Sequence, residues 1–270
     1  MHIISQDRSL QPYFFGNSAS QLLGIYHPPN TGDLNDKGVL LCYPIGHEYM
    51  RIHFTFRRLA QMLSDAGCHV LRFDYFGIGD SAGESRDGDV NLWKADINSA
   101  YLELQEISGV KRISLVGVRF GATLAALASS NGLHVNELVL WDPVVIGQKY
   151  IEELRAINNN LGGFFNKIGE NDMFEELLGY PFPVSLHKGI KQINLLSLKQ
   201  YSTRRIILIT AENRKEYWEL RNQFEANGNY FEHHVVSDTH EWGKPENFTK
   251  TILVNETLHK IKEVIAEDLK

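Results

Sequence analysis

One short stretch, residues 113–125, constrains the fold of this chain more than any other. An apolar run typical of a buried strand leads into a tight turn, and an Ala- and Leu-rich run typical of a helix follows Gly121. Such a strand–turn–helix junction, here named the elbow (residues 117–121), lifts one side chain above the edge of a sheet. A Cβ at Gly117 or Gly121 would crowd so tight a turn. The central side chain is Arg119, and a guanidinium cannot act as a nucleophile at any accessible pH.

The segments on both sides of the elbow alternate between strand-like and helix-like patterns. Uninterrupted apolar runs predict buried strands, and apolar residues that step by three and four predict amphipathic helices. Strands are predicted at 12–16, 21–26, 38–43, 70–75, 113–118, 137–142, 205–210 and 230–236, and helices at 52–66, 93–107, 215–227 and 254–265, besides the helix after the elbow. The first two strands should form a hairpin. This alternation predicts an α/β fold, a mostly parallel twisted sheet of about eight strands with helices on both faces.

The segment 144–200 departs from this alternation. It is rich in apolar and aromatic residues, but their spacing is only weakly periodic, and it contains asparagine, glycine and proline clusters. We expect residues 1–270 to form a single domain in which 144–200 is an inserted lid over an edge of the sheet. The aromatic residues of this insertion either line a pocket of acyl size or simply pack the lid.

The bulk composition argues against several classes of partner. Lys and Arg number 27 against 33 Asp and Glu, which gives a net charge of −6 and disfavours nucleic acid and anionic membranes. No apolar stretch is long enough to span a membrane, and residues 1–7 lack the pattern of a signal peptide. Cys42 and Cys68 are not spaced as a metal-binding pair, which indicates a reducing, cytoplasmic compartment.

We also expect no metal and no cofactor. The glycine-rich run 77–82 superficially fits a dinucleotide fingerprint, but a polar run follows it where a helix would have to begin. A small molecule, acyl or anionic, is the expected partner. The sequence leaves a homodimer open.

Four pieces of the chain, in this order, resemble the α/β-hydrolase superfamily. They are the strand end 42–47 (CYPIGH), the segment 66–81 (AGCHVLRFDYFGIGDS), the elbow and the late His240. The resemblance covers nearly the whole chain and implies an α/β-hydrolase fold. Within the superfamily the chain is similar to serine-aminopeptidase-type hydrolases. Its elbow resembles that of the exosortase-A-system-associated hydrolases, some of which carry Arg at this position.

The resemblance assigns roles to individual positions. Arg119 stands where the nucleophile would be, and His240 matches the catalytic histidine. The turn 211–214 that usually carries the acid contains no Asp, so Glu212 is close to the matching position, and Asp142 after the preceding strand is the alternative. The oxyanion hole would be the backbone N–H groups of Ile45 and Phe120, which require no particular side chain. With one triad position intact, ordinary Ser-His-Asp hydrolysis is not expected.

Arg119 itself has two interpretations. At the start of a helix it could bind an anionic group or polarise a carbonyl oxygen. It could instead form a structural ion pair with Glu48, Asp142 or Glu212, because an unpaired buried guanidinium would be costly.

Three other side chains near the elbow also leave alternatives open. His47 and Glu48 lie in the loop of the oxyanion hole, where they could take part in acid–base chemistry, face solvent or pair with Arg51. The Cys42 thiol could attack an acyl group, although a cysteine within an apolar strand usually behaves as a small hydrophobic residue.

Two hypotheses of different class follow. In the first, the protein is a non-standard α/β-hydrolase-fold enzyme for an acyl ester, thioester or peptide-like substrate. Arg119 and the oxyanion amides would hold a carbonyl or carboxylate, and His240 would move protons in a hydrolysis, lyase or cyclisation reaction. In the second, the protein is a catalytically silent relative that binds an anionic ligand or a protein partner.

Overall fold

The computed structural model describes residues 10–30, 36–161, 174–238, 242, 252 and 254–267. The strands are β1 (Gln11–Phe15), β2 (Leu22–His27), β3 (Lys37–Cys42), β4 (His69–Phe73), β5 (Arg112–Val118), β6 (Val135–Trp141), β7 (Phe174–Leu177), β8 (Tyr180–Pro183), β9 (Thr203–Thr210) and β10 (Tyr230–Val235). The helices are α1 (His47–Asp65), α2 (Val90–Ser108), α3 (Phe120–Ser130), α4 (Gly147–Asn160), α5 (Val184–Lys191), α6 (Lys215–Ala226) and α7 (Asn255–Glu267), and short 3-10 helices span Ser85–Asp87 and Leu195–Ser197.

Eight of the strands form one sheet in the order β1-β2-β4-β3-β5-β6-β9-β10. The pairs β1–β2 and β2–β4 are antiparallel, and every pair from β4 to β10 across the sheet is parallel. The predicted mostly parallel sheet of about eight strands is therefore confirmed, as is the opening hairpin. Each predicted strand and helix has a counterpart within a few residues of its expected bounds.

Burial explains why the central strands read as continuous apolar runs. All positions of β3 and β6 are buried, as are all but the first of β5, because helices cover both faces of a parallel sheet. Helix ends carry the expected signals. In α2 the Asp89 side chain accepts hydrogen bonds from two backbone N–H groups at the start, and Gly109 ends the helix at φ 73°.

The connection from β6 to β9 is more regular than its weak periodicity predicts. Its described part contains α4, the antiparallel hairpin β7–β8, and α5. The buried residues of α4, which include Tyr150, Ile151 and Leu154, recur at helical spacing and pack it onto the rest of the molecule. That this insertion acts as a lid remains a prediction.

Within the described ranges, no helix combines the length and the apolar character needed to cross a lipid bilayer. In the same ranges, no three His, Cys, Asp or Glu side chains come together as candidate metal ligands.

Candidate functional site

The elbow lies at the edge of the sheet where the parallel strands end. Cys42 at the end of β3 pairs with Gly117 of β5, so the loop after β3 and the elbow are neighbours. A Cβ on Gly121 would stand 2.2 Å from the Tyr43 carbonyl oxygen, which is why a glycine is required there. Arg119 adopts φ 51° and ψ −122°, a conformation that costs a non-glycine residue about 1–3 kcal/mol. The strained turn is thus present with an arginine at its apex.

The Arg119 side chain is buried and held between two carboxylates. Its Nε lies 2.8 Å from Oε1 of Glu48, and its Nη2 lies 3.2 Å from both carboxylate oxygens of Glu153. The Arg119 and Glu48 side chains are 4% and 1% exposed, whereas that of Glu153 is 39% exposed. Glu48 lies in the first turn of α1 and Glu153 in α4, so the insertion supplies the second partner. Of the three predicted partners for Arg119, the structure brings Glu48 to it.

Two aromatic rings enclose the guanidinium. Its carbon lies 5.6 Å from the centroid of Tyr150 and 5.5 Å from that of Trp242, within the range of cation–π attraction. The Tyr150 hydroxyl also donates to the second oxygen of Glu48 at 3.2 Å. Burial opposes the charge on Arg119, but the adjacent Glu48 and Glu153 carboxylates outweigh it and raise the pKa of the guanidinium well above its usual value. Arg119 is therefore a permanent cation whose charge is already balanced.

The candidate acids lie elsewhere. The Asp142 carboxylate accepts hydrogen bonds from the Trp242 indole N–H at 3.0 Å and the Ala211 amide at 3.2 Å, and it thereby positions the ring that covers Arg119. The side chain of Glu212 is 66% exposed and pairs with Arg214 at 3.4 Å. His240 lies outside the described residues. No contact of the described residues pairs Asp142 or Glu212 with His240, because His240 itself is not described. The catalytic roles of all three remain predictions.

Four other candidate residues lie at the end of β3, in the loop that follows it, and at the first positions of α1 and α3. Ile45 is buried, and Phe120 is the fully buried first residue of α3. Burial, Arg51 and Arg119 together lower the pKa of the His47 imidazole to about 3, so His47 is neutral at physiological pH. Burial likewise raises the pKa of the Cys42 thiol to about 12, and an unionised thiol is a poor nucleophile.

Two separate cavities flank this network. An apolar cavity of about 150 Å³ adjoins the loop after β3 and is lined by Ile45, Gly46, Tyr49, Met50, Ile78, Gly79, Ser85, Trp93, Tyr180, Pro181, Phe182 and Leu186. It shares Gly79, Ser85 and Pro181 with an open groove of about 520 Å³, so the cavity and the groove adjoin. A smaller cavity of about 90 Å³ borders Arg119 and Glu153. The apolar cavity and the cavity at Arg119 have no described lining residue in common.

Sequence reasoning missed three members of this network, namely Tyr150, Glu153 and Trp242. Tyr150 and Glu153 are three residues apart on α4 and so project from one face of the helix, a spacing that a helical assignment for 147–160 would have revealed. Trp242 carried no local signal. Its role depends on contacts with residues that are distant in sequence, at Arg119 and Asp142.

No protein-family model matches the sequence, and no curated protein matches it. Many solved structures share its fold. Est1E from Butyrivibrio proteoclasticus, solved with ferulic acid bound, superposes with a TM-score of 0.65 at 14% identity over 95% of this chain and 97% of its own. An esterase of Pyrococcus furiosus superposes with a TM-score of 0.64 at 17% identity, covering 97% of this chain and 90% of the esterase. The α/β hydrolase GrgF from a Penicillium species superposes with a TM-score of 0.64 at 15% identity, covering 97% of this chain and 96% of GrgF. The chain therefore has the α/β-hydrolase fold.

Proposed function

We propose that this protein is a catalytically silent α/β-hydrolase-fold protein that binds a small molecule without turning it over. The observation that carries the proposal is the buried Arg119, bound by two carboxylates at the position from which a nucleophile would attack. A guanidinium in that place leaves no oxygen or sulfur atom to form an acyl adduct.

The competing hypothesis, a non-serine enzyme for an acyl ester, thioester or peptide-like substrate, asks Arg119 to hold a carbonyl or carboxylate group. For that, the substrate must displace a partner that Arg119 already has. Glu48 is the harder to displace, because its carboxylate is 1% exposed and also accepts a hydrogen bond from Tyr150. Removing one partner of a buried ion pair costs about 3–5 kcal/mol. The Glu48–Arg119 pair is therefore expected to stay in place, which weighs against a reaction in which Nε of Arg119 holds a carbonyl group.

The apolar cavity beside Ile45 and Gly46, in the loop after β3, is the proposed ligand site. A cavity near 150 Å³ with aliphatic and aromatic walls accommodates about one benzene ring. Its described lining includes three hydroxyl-bearing residues, Tyr49, Ser85 and Tyr180, and the Tyr49 hydroxyl donates to Asp74 at 2.7 Å. We infer a ligand with one ring or a short acyl group inside and a polar end towards the adjoining groove. We also propose a cytoplasmic location, since both cysteines are buried free thiols.

Methyl ferulate tests both halves of the proposal, because it is an aromatic ester and its acid is the ligand bound to Est1E. We expect calorimetry to detect binding of methyl ferulate to the wild-type protein. Chromatography should find no ferulic acid released above the buffer blank, and a fluorophosphonate probe should label no serine.

Two exposed residues of α1 supply the matched variants. Met50 is 63% exposed and lines the apolar cavity, whereas Phe54, one turn further on, is 61% exposed and does not. Met50→Trp should weaken the binding of methyl ferulate, and Phe54→Trp should leave it unchanged. Release of ferulic acid in proportion to protein concentration, or a labelled serine, would overturn the silent interpretation. Equal binding by both variants would place the ligand elsewhere.

A further inference from the structure

The cavity beside Arg119 is lined by several charged side chains, and the proposed binding function at the apolar cavity does not account for them. Of its lining side chains three are cationic, namely Arg119, Lys149 and Arg214, and two are acidic, Glu153 and Glu216. Lys149 pairs with Glu216, and Arg214 pairs with Glu212 at the surface. Among the described residues, Glu153 is the carboxylate that contacts Nη2 of Arg119, whereas Glu48 contacts Nε.

The two carboxylates on Arg119 are not equivalent. Glu48 makes a 2.8 Å contact, is buried and accepts a second hydrogen bond from Tyr150. Glu153 makes two 3.2 Å contacts to one nitrogen from a side chain that is 39% exposed. The strongest arginine–carboxylate pairs use two guanidinium nitrogens, one for each carboxylate oxygen, whereas here both Glu153 oxygens share Nη2 of Arg119. The Glu153 side chain is also accessible to water. Glu153 is therefore the exchangeable partner of the pair.

We propose that this cavity is a binding subsite for the carboxylate group of a small molecule, and that Glu153 occupies it as an internal substitute until the ligand arrives. The position of the Glu153 carboxylate defines the group that fits, a planar carboxylate accepting from Nη2 of Arg119. Lys149 lies four residues before Glu153 on α4, so it can exchange its surface partner Glu216 for the displaced Glu153 side chain. A volume of about 90 Å³ suits a group of the size of acetate.

The inference extends beyond the proposed function, since the apolar cavity and this one share no described lining residue. Methyl ferulate reports on the first cavity and acetate on the second. Failure of one proposal therefore leaves the other standing.

The test is a titration of the protein, residues 1–270, with sodium acetate, using sodium chloride at the same ionic strength as reference. The indole N–H resonance of Trp242 is a local reporter, because that ring stacks on the Arg119 guanidinium. Glu153→Gln removes the competing charge and should tighten acetate binding by about tenfold or more. Glu152→Gln makes the same charge change at the neighbouring exposed position and should bind acetate as the wild type does.

Two further variants keep the test decisive. Glu153→Asp retains the charge but withdraws the carboxylate by one methylene group, so it too should bind acetate more tightly than wild type, even if Glu153→Gln fails to fold. Lys149→Gln should weaken acetate binding in the Glu153→Asp background. Equal acetate affinity of the Glu153 and Glu152 variants, or no shift of the Trp242 resonance in any of them, would overturn the proposal. Tighter binding of phosphate than of acetate would overturn the assignment to a carboxylate.

Discussion

Replacement of Glu48 by Gln is the sharpest test of the network at the elbow. Glutamine keeps the size of the side chain and an oxygen that can accept from Arg119, so the change removes charge rather than contact. The guanidinium, 4% exposed, would then be compensated by Glu153 alone. Removing one partner of a buried ion pair costs about 3–5 kcal/mol. Because Glu153 would still pair with Arg119, we expect the free energy of unfolding to fall by an amount at the lower end of that range, about 3 kcal/mol.

The assay is urea unfolding followed by circular dichroism, with thermal unfolding beside it. A loss of about 3 kcal/mol corresponds to a fall of roughly 6–12 °C in Tm for a domain of this size class. Glu153→Gln is the matched control, because the same chemical change at a half-exposed position should cost about 1 kcal/mol or less. Equal losses for the two variants would refute the reasoning, since burial of Glu48 would then contribute nothing.

Three further predictions concern other parts of the fold. Cys42 is fully buried with a thiol pKa near 12, so maleimide at pH 8 should leave it unmodified in the native protein and modify it in urea; labelling at equal rates would contradict this. Gly121→Ala should cost about 3 kcal/mol of unfolding free energy because its Cβ would stand 2.2 Å from a backbone oxygen, whereas Gly189→Ala on α5 would meet a side chain at 3.1 Å and should be tolerated. Burial, with help from Arg72, lowers the pKa of His27 from 6.5 to about 4, so folding favours its neutral form and stability should fall by roughly 3 kcal/mol as pH drops from 6.5 to 4. His27→Gln should remove that part of the pH dependence, measured as the difference between the two urea-unfolding profiles.

The architecture was readable from the sequence because its signals are local. The predicted run 137–142 overlaps β6 (Val135–Trp141), in which all seven positions are buried, and a strand covered on both faces favours a nearly continuous apolar run. The elbow could also be predicted from the sequence. A Cβ on Gly117 would clash with backbone inside the turn, and a Cβ on Gly121 would clash with backbone at the end of the adjacent strand. The helix α4 was missed because its polar residues mask an apolar face that is clear only in the packed structure.

The environment of Arg119 required the tertiary structure. The sequence offers Glu48, Asp142 and Glu212 as candidates to pair with it, and no local pattern points to Glu153. The selected partners lie 71 and 34 residues away along the chain, and the packing of α1 and α4 around the elbow brings them within reach. Sequence alone determined that a cation stands at the apex, because residue identity fixes charge. Whether that cation faces an open site or is already neutralised was decided by long-range packing, which periodicity and local spacing do not encode.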